Sequence, residues 1–239
     1  MGQRLSPSRM ALAERCLYTF REDVTLPPDK TGPEAQAGKD AHAAIEAFIR
    51  DGVICNDTPP SFLLWWDVSG LSHETHTLTA EMPIVYNFTR GESRIVETLP
   101  NGRMPPTSDD EMPCMIDLVA VPHDDREPVI VIDWKTGKPK DFQWQMLTYA
   151  LALNRLRDLD VEPVVARVVY VHAARTLEDA PMVFDAMDLD VAEQTIRNAK
   201  RRLPLAQPTP GKHCRDQWCR LRETCGARRE WERQNRRAA

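Results

Sequence analysis

No apolar run in this sequence approaches the length needed to cross a bilayer, and the opening MGQRLSPSRMALAERC lacks the apolar core of a secretory leader. A cytoplasmic chain is the expectation. Internal repeats and low-complexity tracts are missing too. What is present is ordinary for a soluble globular protein: 42% hydrophobic and 28% charged residues. A length of 239 residues is enough for one substantial domain, or for a core with a small appendage.

Cysteine and charge are unevenly distributed. The six cysteines are Cys16, Cys55, Cys114, Cys214, Cys219 and Cys225. In a cytoplasmic chain they argue against a disulfide framework and towards metal or redox chemistry. The net charge of −5 hides a basic end: residues 211–239 carry nine Lys/Arg against four Asp/Glu, +5 in all, which leaves −10 for the rest. Such a tail suits nucleic acid, and equally a solvated helix.

Periodicity and punctuation predict the elements. Residues 6–19 read as a helix that Ser6 can cap, followed by a connection over 25–38. The segment 41–52 is helical, with Gly52 as its stop. Residues 56–60 and 98–113 read as loops, and 73–88 alternates like a strand in its second half. Strands follow at 115–121 and 128–134, the second nearly all apolar as expected when both faces are buried. Residues 142–156 make a helix, 163–173 a strand and 191–203 a helix. That order is α/β.

Cleaving a phosphodiester requires a divalent cation to polarise the phosphate and lower the pKa of the attacking water. Mg²⁺ takes hard oxygen ligands, typically one or two carboxylates. Asp117 and Asp133 supply them if their strands are neighbours. Asp133 and Lys135, two apart on a strand, leave from the same face and set an ammonium beside that water. Of the seven lysines only Lys135 has an acid two residues before it, and the pair ends a strongly apolar strand. Gln145 and Tyr149 share a helix face, which by itself reads as core and rim. His42 lies four residues after Gly38 and four before Glu46; alone it reads as a structural or surface histidine, as do His73, His76, His123, His172 and His213. Cys214, Cys219 and Cys225 need a fourth ligand, for which Cys16 is the first candidate and Cys55 the second. Such thiolate-rich sites take an iron–sulfur cluster, or zinc with a contribution from His213.

Together these segments resemble the RecB-like nucleases of the PD-(D/E)XK superfamily, the family of the RecB and AddB nuclease domains and of small CRISPR-associated and phage exonucleases. LSPSRMALAERC resembles the family's opening helix with its first cluster cysteine, Cys16. GKDAH resembles its Gly-x-x-x-His motif, CMIDLV its first catalytic strand, IDWKTGK its Asp-x-Lys-Thr-Gly signature and QMLTYALAL its Gln-x-x-x-Tyr helix. Glu81 stands where the family often has a glutamate. Three departures are visible: Cys114 replaces a glycine, no proline follows Cys16, and Cys214 and Cys219 are separated by four residues where two are common.

The resemblance implies a restriction-endonuclease-like core, a mixed sheet flanked by helices, as one domain over 1–239. An N-terminal helix (about 6–20) and a C-terminal cysteine-rich segment (about 204–239) would be joined through a [4Fe–4S] cluster on Cys16, Cys214, Cys219 and Cys225. It implies Mg²⁺ or Mn²⁺ on Asp117, Asp133, the Trp134 carbonyl, His42 and Glu81, with Lys135, Gln145 and Tyr149 completing the centre. The implied activity is a DNA exonuclease of recombination, repair or phage DNA processing, active in the host cytoplasm if phage-encoded. The alternative is a non-catalytic iron–sulfur DNA-binding or assembly subunit. With no Gly-x-x-x-x-Gly-Lys-Ser/Thr loop present, any helicase partner is a separate protein.

Overall fold

Among the described residues seven strands form one mixed sheet: β1 (His76–Asn87), β2 (Glu92–Ile95), β3 (Glu111–Pro122), β4 (Val129–Lys135), β5 (Val164–Val171), β6 (Thr176–Glu178) and β7 (Met182–Phe184). Their order is β2-β1-β3-β4-β5-β6, with β7 also pairing β5. Only β4 and β5 run parallel; the other pairs are antiparallel. Among the described residues six α-helices accompany them: α1 (Met10–Arg15), α2 (Pro33–Asp51), α3 (Pro60–Ser69), α4 (Gln143–Asn154), α5 (Ala186–Arg202) and α6 (Gly226–Arg237). This computed structural model describes residues 4–27, 32–156, 163–171, 176–215 and 219–237.

The sheet separates two cores. On one face Met10 and Ala13 of α1, the run 146–147 and 149–153 of α4, and Leu189, Ala192 and Ile196 of α5 pack with alternate residues of the strands. On the other, Ile45 and Ile49 of α2 and Phe62 and Trp65 of α3 close over Ile132, Trp134, Val169 and Val171. Trp134 is held edge-on by Phe62 and Trp65, with ring centroids 5.3 and 5.2 Å away. Helix α4 is buried along nearly its whole length, as a helix apolar on every side must be. No helix among the described residues is long and apolar enough to cross a membrane.

Several elements depart from their expected extents. Ser6 makes no side-chain cap; the expected first helix is a 3₁₀ turn over Pro7–Arg9, then α1, then a second 3₁₀ turn over Leu17–Phe20. Helix α2 begins at Pro33, eight residues before the amphipathic stretch, because proline suits the first turn of a helix. It does end at Gly52, whose φ of 69° is the left-handed cap. Helix α5 starts at Ala186, where Asp185 and Asp188 form a reciprocal capping box. Strand β3 reaches back to Glu111, into the predicted loop, by pairing with β1. Helix α3 and the short strands β2, β6 and β7 were not anticipated, whereas α6 lies in the basic end that also read as a solvated helix. Residues 172–173, expected to end a strand, lie outside the described residues.

Strands β1 and β3 both change faces at one place. Leu78 and Ala80 pack towards α2 and α3, whereas Met82, Ile84 and Tyr86 pack towards α4. In β3, Met112, Cys114 and Ile116 face α4 and Leu118 and Ala120 face the other core. Glu81 and Asp117 occupy the two switch positions, between the pairs Ala80↔Leu118 and Met82↔Ile116. Because both strands reverse together, the register survives. Glu81 carries the reversal with a φ of 48°, and no other non-glycine described residue has a positive φ. A glutamate there is strained, and such strain concentrates at functional sites.

Candidate metal centre

Four elements converge on the reversal. Nδ1 of His42, from α2, lies 3.6 Å from Oδ2 of Asp117 on β3 and 3.8 Å from Oε1 of Glu81 on β1. These separations are too long for good hydrogen bonds. The three groups instead face a common point, each offering one ligand atom within 4.8 Å of the others. Helix α2 passes close to the segment that follows Lys135 at Gly38, where a Cβ would lie 3.0 Å from Oγ1 of Thr136. The Gly-x-x-x-His spacing thus has a steric origin.

The β3–β4 ladder runs through Ala120↔Ile130, Val119↔Val131 and Leu118↔Ile132. Continued by one pair, it sets Asp117 opposite Asp133. Beyond the ladder the backbone N–H of Trp134 donates to the Asp117 carboxylate, at 2.7 Å. Asp133, only 1% exposed, receives a hydrogen bond from Nε2 of Gln145 at 2.6 Å, and its other oxygen lies 2.5 Å from Nζ of Lys135. Gln145 also donates to the hydroxyl of Tyr149 at 3.1 Å. The predicted residues therefore meet, but both helix residues are buried, with Gln145 turned onto Asp133 and the Tyr149 hydroxyl onto Gln145. Trp134 enters through its backbone, its indole being core.

The electrostatics are those of a crowded anionic site. Burial pushes Asp117 above the usual carboxylate range, with Glu81 adding to the shift and His42 opposing it. Burial, then the neighbouring Asp117, pushes Asp133 up to about 7 against the pull of Lys135. Desolvation works to lower His42, yet Asp117, Glu81 and Asp133 together raise it to about 9. Tyr149, raised well above 10 first by burial and then by the two aspartates, keeps its proton.

The residues fit a divalent cation. The buried Oε1 of Gln145 accepts no hydrogen bond among the described residues, and the buried Oδ2 of Asp133 meets the Lys135 ammonium in an ion pair. Carboxylates with one imidazole are a donor set for Mg²⁺ or Mn²⁺. Positive charge placed among them would reverse the penalties that raise the aspartate pKa values.

A second group assembles at the chain ends. Cys16, Cys214, Cys219 and Cys225 line one small cavity, together with Thr19, His213 and Arg228. Cys16 caps the C-terminus of α1, and Nε2 of His213 lies 3.6 Å from Sγ of Cys214. Burial, followed by the neighbouring cysteines, raises the thiols of Cys214 and Cys219. Cys55 is exposed and is not part of this lining. Cys114 is packed into the core with no positive φ, so the backbone there does not require glycine. The basic tail is partly self-neutralised: Arg228 pairs with Glu232 and Arg233 with Glu230 on α6. Residues 216–218, between two of the cysteines, lie outside the described residues.

Comparison with known proteins gives this arrangement a family. Residues 4–226 match the PD-(D/E)XK nuclease superfamily, and the chain belongs to it. Its class is that of metal-dependent hydrolases of phosphodiester bonds. Among solved structures, the crystal structure of SSO0001 is similar at 16% identity, over 82% of this chain and 72% of that one, with a TM-score of 0.39. No curated protein matches the sequence.

Proposed function

We propose that this protein is a RecB-like DNA exonuclease that acts with Mg²⁺ or Mn²⁺ at the centre formed by His42, Glu81, Asp117 and Asp133. One observation carries the proposal: His42, Glu81 and Asp117 converge on one point, and the ladder that aligns Asp117 with Asp133 brings Lys135 to the same place. A divalent cation bound there supplies Lewis-acid polarisation of the phosphate and lowers the pKa of the attacking water.

The chain's own groups then have distinct tasks. Asp117, Asp133, His42, Glu81 and the Trp134 carbonyl hold the cation. Lys135 orients the water and offsets charge developing on the phosphate. Gln145 fixes the rotamer of Asp133, and Tyr149 steadies Gln145 from behind as a neutral phenol. Basic residues of the C-terminal segment contact the strand through its phosphates. The four-cysteine cavity holds a [4Fe–4S] cluster that pins the chain ends and positions that segment, with zinc as the competing occupant. The setting is recombination, repair or phage DNA processing, with any helicase supplied by a separate protein.

End-labelled single- and double-stranded DNA, digested with Mg²⁺, with Mn²⁺ and with EDTA, tests the activity. Shortening from an end that needs metal and is lost in Asp133→Ala is the expected result. Internal cuts alone would replace exonuclease with endonuclease, and no cleavage with either metal would leave a DNA-binding subunit. Anaerobically purified protein should be brown, with about four irons per chain. Cys16→Ala and Cys219→Ala should lose the colour and Cys55→Ala should keep it, whereas colourless protein with stoichiometric zinc would overturn the cluster.

A further inference from the structure

The segment after the Asp-x-Lys strand carries an arrangement that the centre described above does not use. Nζ of Lys135 lies 4.8 Å from the ring centroid of Phe142, and Nζ of Lys140 lies 4.7 Å from the same centroid. The lysine–aromatic contacts among the described residues both fall on this one ring. We propose that the Phe142 ring is a cation platform that positions Lys135 for the cleavage step and holds Lys140 as a contact for a substrate phosphate. The proposal rests on the nuclease function argued above.

A lysine ammonium is a compact charge on a flexible four-carbon stem, so contact on one side alone does not define its place. Asp133 pins Lys135 from one side at 2.5 Å. The negative face of Phe142 attracts it from the other. The ring itself is anchored: it is half-buried against the α4-side core, and its centroid lies 6.3 Å from that of Tyr170. Tyr170 is fully buried on β5 and sits opposite Lys135 in the β4–β5 ladder. Its hydroxyl reaches back to the same segment, 3.3 Å from the backbone N of Lys140 and 3.0 Å from Oδ2 of Asp179. One buried tyrosine therefore fixes both the platform and the chain that carries the second cation.

The two lysines are not equivalent. Lys135 is half-buried and faces a carboxylate. Lys140 is exposed, with its ammonium over the same ring. An exposed ammonium held in place on a ring is a ready contact for an arriving anion. At a centre that cleaves phosphodiesters the arriving anion is a phosphate of the bound strand. Phe142 thus acts through Lys135 as a positioning residue, while Lys140 touches substrate.

The full-length protein with ¹³C-labelled lysine tests the platform without any need for catalysis. The Cε resonances of Lys135 and Lys140, assigned through Lys135→Arg and Lys140→Arg, should carry ring-current shifts that vanish in Phe142→Leu and persist in Phe142→Trp. Binding of a single-stranded oligonucleotide, with Ca²⁺ in place of Mg²⁺, should lose about 0.7 from its salt slope in Lys140→Gln, the share of one phosphate contact on a single strand. In cleavage, Phe142→Leu should lower kcat about tenfold or more by misplacing Lys135, and Phe142→Trp should restore it. Lys140→Gln should raise KM a few-fold with kcat little changed. Should Phe142→Leu fail to fold, as judged by its thermal transition, Phe142→Met serves in its place. Unshifted lysine resonances, an unchanged salt slope in Lys140→Gln, or wild-type kcat in Phe142→Leu would each overturn the proposal. A wild-type protein that cuts no DNA would instead overturn the nuclease function, and the resonance and binding arms would still judge the platform.

Discussion

The carboxylate of Asp117 takes the hydrogen bond that the backbone N–H of Trp134 would otherwise give to a neighbouring strand, at 2.7 Å. The residue that ends the β3–β4 ladder is thus also a candidate metal ligand, and structure and chemistry are linked there. Asp117→Asn keeps an acceptor for Trp134 and should retain most of the stability while losing metal affinity. Asp117→Ala orphans a buried N–H and should cost about 1–3 kcal/mol in addition. Urea unfolding in EDTA separates the two; equal losses would mean that the Trp134 bond contributes nothing.

Asp133 makes the metal-free centre less stable at neutral pH than it need be. Its pKa is pushed up to about 7, against roughly 3.9 in an unfolded chain. Between those values the folded state holds a proton that the unfolded state has released, so stability falls as pH rises. Asp133→Asn keeps the contact with Gln145 and removes this liability. In EDTA the variant should gain on the order of 2 kcal/mol over wild type at pH 8, with the gain shrinking towards pH 4. A gain independent of pH would show that the carboxylate's charge is not its source.

Metal binding should release protons. The metal-free His42 is raised to about 9 and Asp133 to about 7, so at pH 7.5 the imidazole is protonated and the carboxyl partly so. A ligand must give up its proton to coordinate. Affinity for Mn²⁺ should therefore climb from pH 6 towards pH 9, by about tenfold per unit for each proton released. Calorimetry in two buffers of different ionisation enthalpy counts the protons. His42→Gln should release fewer, and an unchanged count would remove His42 from the ligand set.

Gly38→Ala sets two small effects against each other. Alanine favours a helix interior by up to about 1 kcal/mol. Its Cβ would meet Oγ1 of Thr136 at 3.0 Å, so the Thr136 side chain or α2 must give by a few tenths of an ångström, and His42 is one turn along. Thermal stability should hardly move while the cleavage rate falls several-fold. Thr136→Ala removes the obstructing oxygen and should restore the rate in the double variant; failure to restore it would place the effect elsewhere.

The line between what was legible in the sequence and what was not follows physical range. Short-range chemistry could be read. The apolar run into Asp133 and Lys135 marked a buried strand end, and the 3.6-residue period placed Gln145 and Tyr149 on one face. The helix that carries His42 was recognisable as well, though not its start at Pro33, because a proline in the first turn looks like a connection. Helix α3 escaped notice because Phe62, Leu63, Leu64, Trp65 and Trp66 form an apolar run whose period says little, and only packing over Trp134 settles it. Glu81 was marked only by its place ahead of the Asp strand in the family resemblance, with no periodicity or spacing of its own to set it apart. A φ of 48° in mid-strand is sustained only by the paired strands that reverse on either side of it, so the backbone that aims its carboxylate is a property of the sheet. The Phe142 platform likewise had no sequence signal, whereas the meeting of Cys16 with the three C-terminal cysteines was expected from the resemblance, and the fold brings the four to one cavity. By itself the sequence determined which residue types could do chemistry and the local period on which each one sits. Only the tertiary structure decided which of them share a point in space, because that depends on strand register, on the twist of the sheet and on contacts between residues far apart in the chain.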